Sequence, residues 1–232
     1  PVLYDAQESG DFHFYTLKET AANVMVFQLN LNHTDPVKNA LYNNRDFRVA
    51  LSHAIDRQSM IEAVFVGQGA PAQPSIVEGD PLYVERLAKQ YTEYDPEKAN
   101  AILDEILPNK DSEGFRLDSE GRRVTIIFEI DQVRTTFLDM FQLAIPNFRD
   151  VGIDVQIRTM DRSLWETRVR HGREFDATAH QFGANSGVAA MLDPRYFVPF
   201  NTNALYAQGW ALHFNQPDND AAIEPPEDVK VQ

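Results

Sequence analysis

The side chains that most often carry out chemistry are scattered through this sequence. Its six histidines form no metal-binding or catalytic pattern such as HExxH. The chain also lacks GxSxG, which exposes a nucleophilic serine on a sharp turn, and it lacks the phosphate-binding patterns GxxxxGK[ST] and GxGxxG. The histidines are His13, His33, His53, His171, His180 and His213.

Two pairs of titratable residues are close enough in the sequence to be tested as acid–base pairs. His53 and Asp56 are three residues apart on a predicted helix and could share a face. The preferred interpretation is a partly exposed helical histidine. Glu129 and Asp131 flank the end of a predicted strand, but the chain has 35 acidic residues, so chance pairs are expected. A solvated surface is the preferred interpretation for them.

One histidine has a position that suggests function. His180 lies in a predicted strand of an α/β layer, and the ends of such strands often face a cleft. The enzyme hypothesis is therefore a hydrolase that uses His180 with nearby carboxylates. No motif supports this hypothesis, so we expect a protein without enzymatic activity.

The composition excludes several classes of protein. The formal net charge of −14 gives a surface that repels the phosphates of nucleic acids and of anionic membranes. The absence of cysteine excludes disulfides, thiolate metal sites and a cysteine nucleophile. No stretch approaches the roughly 18 apolar residues of a membrane span. We predict no metal and no cofactor, and no nucleic-acid partner.

The order of predicted elements indicates an α/β fold with a mixed sheet flanked by helices. Early strands are predicted at 11–17 and 23–32. From residue 124 onward, strand, helix, strand, helix and strand alternate, which is typical of a parallel layer. The later strands are predicted at 124–130, 152–160 and 175–183. The helices are predicted at 47–66, 95–107, 135–152 and 163–172.

The last third of the chain is rich in aromatic residues interleaved with neutral amides. Such a mixture suits a cleft that stacks on a flexible polar molecule and forms hydrogen bonds with it. A second core layer under loops explains the same pattern equally well. The aromatic residues are Phe182, Tyr196, Phe197, Phe200, Tyr206, Trp210 and Phe214.

Three sequence blocks, in the same order, resemble the family 5 solute-binding proteins of ABC importers, the peptide- and nickel-binding group. The first is "FRVALSHAIDRQSMIEAVFVGQGAPA", a helix that leads into a Gly-x-Gly-x-Pro loop. The second is "YTEYDPEKANAILDEI", and the third is "FRDVGIDVQIRTMDRSLWETRVRHGREFDA". The resemblance covers nearly the whole chain. It implies that the helix at 47–66 has a structural role as part of the scaffold.

The resemblance implies a periplasmic or otherwise extracytoplasmic protein of two lobes. Such a protein closes on an oligopeptide or another small polar solute and delivers it to a membrane permease. Members of the family are roughly twice this length, so residues 1–232 are expected to form a single, C-terminal lobe that is truncated at both ends. We expect a monomer. A chemoreceptor-type ligand-binding module is the alternative within this fold.

The resemblance also indicates which residues face the ligand. They belong to the segment after the third strand of the parallel layer. Peptide-binding members carry a Trp and then an Asp in this segment, and the Asp pairs with the amino terminus of the peptide. This chain has no acidic residue there before Asp193, so a neutral, modified, sugar-like or opine-like ligand is also considered. The expected ligand-binding residues are Gln181, Phe182, Gly183, Asn185, Asp193 and Arg195.

Overall fold

A four-stranded mixed sheet forms the centre of the computed structural model, which describes residues 2–15, 21–184 and 186–230. The strands lie in the order β1-β4-β2-β3. Strands β4, β2 and β3 run parallel to one another, and β1 runs antiparallel to β4. The predicted α/β fold with a mixed sheet is confirmed. The strands are β1 (Asn23–Leu29), β2 (Thr125–Asp131), β3 (Asp154–Met160) and β4 (Ala177–Phe182).

Helices precede, connect and follow these strands. Residues 12–15 have no regular structure and 16–20 lie outside the described residues, so the strand predicted at 11–17 is not found in its described part. The helices before β2 are α1 (Val2–Asp5), α2 (Gln7–Gly10), α3 (Pro36–Asn43), α4 (Arg45–His53), α5 (Arg57–Phe65), α6 (Glu85–Lys89) and α7 (Pro96–Ile106). Those after β2 are α8 (Thr135–Asp150), α9 (Arg162–Trp165) with a π-helical continuation over Glu166–Gly172, α10 (Gly187–Leu192), a 3₁₀ turn over Pro194–Tyr196, α11 (Gln208–Asn215) and α12 (Glu227–Lys230).

The alternation of side chains along the strands gives the sheet two covered faces. On β2, Phe128 and Ile130 join the large core formed with α4, α7 and α8, whereas Glu129 points to the opposite face. There Trp165 packs with Met160 in a smaller apolar cluster. Helices cover both faces of the sheet, and β2 is buried along most of its length, as its near-continuous apolar sequence requires, whereas Gln156, Arg158 and Thr159 of β3 are exposed.

The helix predicted at 47–66 is two helices. Asp56 leaves the helical conformation and caps the start of α5, where its carboxylate accepts a hydrogen bond from the Ser59 amide at 3.0 Å. Arg57 reaches back and donates to the Ser52 carbonyl at 2.8 Å, which satisfies the end of α4. His53 is fully buried rather than partly exposed, and its Nδ1 lies 3.2 Å from the Glu93 carbonyl. His53 and Asp56 are therefore not a functional pair.

A buried arginine connects the turn after α8 to the end of α7. Arg116 donates from Nε to the Val151 carbonyl at 2.9 Å and from Nη1 to the Leu107 carbonyl at 2.8 Å. Its backbone amide donates to the Gly152 carbonyl at 2.7 Å. Gly152 has a φ of +79°, and a Cβ there would lie 2.9 Å from the Gly114 carbonyl oxygen. Only glycine allows this close approach without displacing the backbone.

At the amino ends of the parallel strands, Asp176 precedes β4 and accepts three hydrogen bonds. They come from His33 Nε2 at 2.9 Å, from Lys38 Nζ at 2.7 Å and from the Ile127 amide at 3.1 Å. Burial alone would raise the pKa of Asp176, but the hydrogen bonds from His33 and Lys38 outweigh it and hold the pKa below its ordinary value. Asp176 thus joins α3 to two strands as a carboxylate.

Replacement of Gly152 by alanine should destabilise the protein more than the same change at another glycine with positive φ. Gly121 has a φ of +76° and nothing within 4 Å of the position of a Cβ, so G121A reports the backbone strain alone. We expect G121A to lower the free energy of unfolding by about 1 kcal/mol and G152A by about 1–3 kcal/mol more. Urea unfolding measures both, and equal losses would contradict the close approach.

The D176N variant should lose stability in a pH-dependent way. A depressed pKa stabilises the folded state above the pKa of the unfolded carboxyl, near 4, and that contribution disappears as the pH falls through the folded value. We expect D176N to be about 3 kcal/mol less stable than the wild type at pH 7 and the gap to narrow below pH ~4. Urea unfolding at three pH values tests this, with exposed D218N as control. A gap independent of pH would refute it.

Candidate ligand-binding edge of the sheet

The last residues of the three parallel strands meet at one edge of the sheet. Because β2, β3 and β4 are parallel, the segments that follow them lie side by side. Asn23 of the antiparallel strand β1 pairs with Phe182 at the same edge. Ligands of open α/β sheets bind outside the carboxyl ends of the strands. We call this region, residues 131–134, 160–162 and 180–184, the carboxyl edge.

Two of the predicted site residues meet an aromatic segment. The ring of Phe182 is buried, and its centroid lies 4.8 Å from that of Tyr196 and 5.3 Å from that of Phe197. A Cβ on Gly183 would be 2.9 Å from the Tyr196 hydroxyl. The absence of a side chain at Gly183 therefore allows Tyr196 to pack against the end of β4. Gln181 is exposed.

Asp193 and Arg195 form an ion pair. Oδ2 of Asp193 lies 2.7 Å from Nη2 of Arg195, whose guanidinium also lies 5.3 Å from the centre of the Tyr196 ring. Asp193 also accepts from the Arg195 amide at the start of the 3₁₀ turn. The carboxylate that the sequence offered for a ligand amino group is thus already paired. Asn185 lies outside the described residues.

His180 is held as a neutral ring beside Trp165. The two rings are stacked with centroids 6.1 Å apart, and His180 Nδ1 lies 3.1 Å from the Gln181 carbonyl oxygen. Burial is the largest cause that lowers the pKa of His180. The hydrogen bond to the Gln181 carbonyl raises this pKa, whereas the positive charges of Arg134 and Arg170 lower it further. The neutral imidazole of His180, surrounded by arginines, can therefore form hydrogen bonds and stack on a flat group.

The carboxylates of Glu129 and Asp131 are not solvated. Glu129 is 2% exposed and Asp131 3% exposed. Glu129 accepts two hydrogen bonds from Arg168, at 2.9 and 2.6 Å, and one from Arg158 at 2.9 Å. Asp131 accepts one from Arg162 at 3.1 Å. The interpretation as a solvated surface is wrong, because arginines distant in the sequence neutralise both groups.

Sequence reasoning overlooked one arginine at the carboxyl edge. Arg134 stands just before α8, beside Val133, which is 72% exposed. Among the described residues no carboxylate lies within ion-pair distance of the Arg134 guanidinium, whereas Arg162 is paired with Asp131. The position of Arg134 directly after a strand predicted at 124–130 is the feature of the sequence that indicates this location.

The aromatic residues of the last third divide between core and surface. Trp210 is buried with the apolar side chains of α11, whereas Phe200 and Phe214 are more than half exposed. Neither a cleft nor a core layer describes the whole set. In the part of the chain that the structure describes, no three His, Asp or Glu side chains are grouped as metal ligands would be. Over the same residues, no helix is both long and apolar enough to cross a membrane.

The family of the chain follows from its match to a family model. The model of the bacterial extracellular solute-binding proteins, family 5 Middle, matches residues 3–203. The chain belongs to this family. The predicted resemblance is confirmed, and the family consists of extracellular binding proteins. The comparison with curated proteins found no match.

Solved structures agree with this assignment. An oligopeptide-binding protein OppA is 26% identical with a TM-score of 0.84, and the match covers 99% of this chain and 38% of that one. NikA from Brucella suis, in complex with Fe(III)-EDTA, is 23% identical with a TM-score of 0.63, covering 94% and 40%. MelB from Agrobacterium fabrum, in complex with stachyose, is 19% identical with a TM-score of 0.62, covering 88% and 36%. The last two show the fold alone, and this chain spans less than half the length of each protein.

The ionisation of His180 can be tested by NMR titration of its imidazole nitrogens. We expect a pKa below the ordinary value of 6.5, because burial and the nearby arginines disfavour the charged ring. R134Q should raise this pKa but leave it below that of the urea-unfolded chain, since burial remains. R149Q, which changes an arginine that does not act on His180, should not move it. A pKa at or above 6.5 in the wild type would contradict the arrangement.

Proposed function

We propose that this chain is the C-terminal ligand-binding lobe of a two-lobed solute-binding protein that serves an ABC importer. The observation that carries the proposal is the family match over residues 3–203. The carboxyl edge supports it, because three parallel strands end there in stacking and hydrogen-bonding groups. The protein would act outside the cytoplasmic membrane, as a monomer that delivers its solute to a permease.

The division into lobes is supported by the lengths of the matched proteins. The chain aligns over 99% of its own length with only 38% of OppA. In the proposed arrangement, the carboxyl edge faces a second lobe, and closure of the two lobes buries the ligand. Residues 1–232 would thus supply about half of the ligand contacts and no catalytic group.

The charges of the carboxyl edge and of the segment that follows β4 favour a solute that does not depend on a free amino group for recognition. Asp193 is paired with Arg195, and Asp131 with Arg162, so neither carboxylate is left for an ammonium group. Arg134 instead offers an unpaired guanidinium, which suits a carboxylate or a hydroxyl-rich solute. We propose an oligopeptide or a related small polar solute, held by Gln181, Phe182, Gly183 and Asn185 together with Arg134.

A hydrolase is the weaker proposal. His180 would need a carboxylate to orient it and a nucleophile to deprotonate. Its Nδ1 faces a backbone carbonyl, and the nearest charged groups that act on its pKa are arginines. Glu129 and Asp131 are already bound to arginines. These contacts support stacking on a ligand more than acid–base chemistry.

Binding by the parent protein tests the proposal. Native mass spectrometry of the full-length parent, purified without denaturation, should show a retained small molecule. Calorimetry with that molecule should then give an affinity about 100-fold weaker for the 232-residue chain, because one lobe makes only part of the contacts. R134Q in the parent should weaken binding about tenfold, and exposed K110Q should not.

The identity of the retained molecule and the two affinities decide between the possible functions. A retained molecule that fragments into amino acids supports a peptide importer, and one that fragments into sugars supports a carbohydrate importer. A parent that retains nothing and binds neither peptides nor oligosaccharides would overturn the proposed function. Equal affinity of the parent and of the 232-residue chain would overturn the two-lobe arrangement.

A further inference from the structure

Two adjacent cavities beside α4 share part of their lining, and together they are called the joined cavity. One has a volume of about 520 Å³ and the other about 780 Å³, and four residues line both: Arg48, Ser52, Gln73 and Pro74. The joined cavity lies between α4, α5, β1 and the segment 66–76. None of residues 131–134, 160–162 and 180–184 lines it, but Asn23, Tyr196 and Phe197, which pair with or pack on Phe182, do, so it borders the site described above. Each of the two volumes is in the range of small-molecule sites.

The lining carries positive charge only. Among the described residues that line the joined cavity there are three arginines, Arg45, Arg48 and Arg57, and no aspartate or glutamate. The chain as a whole has 35 acidic and 21 basic side chains. A cavity without a carboxylate is therefore opposite in sign to the surface around it. Such a field attracts anions.

Two of these arginines lack a counterion. Arg48 donates from Nη1 to the Tyr42 carbonyl at 2.6 Å. Arg57 donates to the Ser52 carbonyl and to the Ser52 hydroxyl, each at 2.8 Å. Within the described residues no carboxylate lies within ion-pair distance of either guanidinium, although nine other arginines have one. Burial is the main cause that lowers the pKa of both, that of Arg57 to about 10. Glu93 opposes the shift at Arg57 only in part, so each charge is partly desolvated without a paired carboxylate.

The larger part of the cavity is apolar. Phe27 and Leu29 of β1 and Ile55, Met60 and Val64 on the helical side line it. Phe27, although stacked on Phe141 at 4.8 Å, is only partly buried. An apolar wall next to two cations without a paired carboxylate matches a molecule with a charged head and an apolar chain.

We propose that the joined cavity binds an organic anion with an apolar chain, with its acidic head at Arg48 and Arg57 and its chain along α5 and β1. A medium-chain carboxylate is the simplest member of this class. Binding places a negative charge beside two guanidinium groups that have only neutral partners, and it covers the apolar wall. The proposal does not depend on which solute the carboxyl edge takes.

The test is calorimetry of the 232-residue chain at pH 7 with three probes: octanoate, 1-octanol and acetate. Octanoate has both features of the proposed ligand, 1-octanol lacks the charge, and acetate lacks the chain. We expect octanoate to bind at least about tenfold more tightly than either. R48Q should weaken octanoate about tenfold and leave 1-octanol unchanged. The matched control is R86Q, an arginine outside the cavity, which should behave as the wild type.

Three results would overturn the proposal. They are no octanoate binding at millimolar concentration, equal affinities for octanoate and 1-octanol, and octanoate binding that R48Q leaves intact. If circular dichroism shows that R48Q is unfolded, the comparison of the three probes on the wild type still decides the charge requirement. V64W, which fills the apolar part, then decides the location, since it should abolish octanoate binding and leave acetate unchanged.

Discussion

A single buried carboxylate joins the strands and the helix near the carboxyl edge of the sheet. The side chain of Glu129 is neutralised by Arg168 and Arg158, and its backbone carbonyl accepts from Trp165 Nε1 at 3.2 Å and from the Thr178 hydroxyl at 2.8 Å. These contacts join the central strand to its neighbour β4 and to the helix that follows β3. A buried charge is costly unless it is fully paired, so the three elements must dock in one arrangement to satisfy it. That arrangement puts Trp165 against His180.

Much of the fold could be predicted from the sequence, because local patterns carried the signal. Strand β2 is a nearly continuous apolar run, Val155 and Ile157 of β3 alternate with polar residues, and α7 begins with Asp95 as cap and Pro96 in its first turn. The break between α4 and α5 was missed because one apolar stripe runs through both helices. The competing signal was Asp56, whose preference for a helix start prevailed over the periodicity.

The site was less predictable because it depends on contacts between distant residues. Glu129 looks solvated in the sequence, and only the parallel register brings Arg158 beside it. The position of Arg134 was also not evident from the sequence. Its place at the candidate site follows only from the sheet, in which the ends of all three parallel strands share an edge. The resemblance to a family directed attention to one segment, and the geometry of that segment then showed that Asp193 is already paired.

The pairing of β1 with β4 has a consequence for the order of folding. Leu29 and Ala177 are partners, although they are about 150 residues apart in the chain. The parallel strands β2, β3 and β4 lie close in sequence and can associate first, but the edge strand must wait until this large loop closes. Loop closure of this length makes such a contact slow to form. During synthesis, β1 therefore emerges before β4 and remains without its partner until the residues up to β4 have followed it.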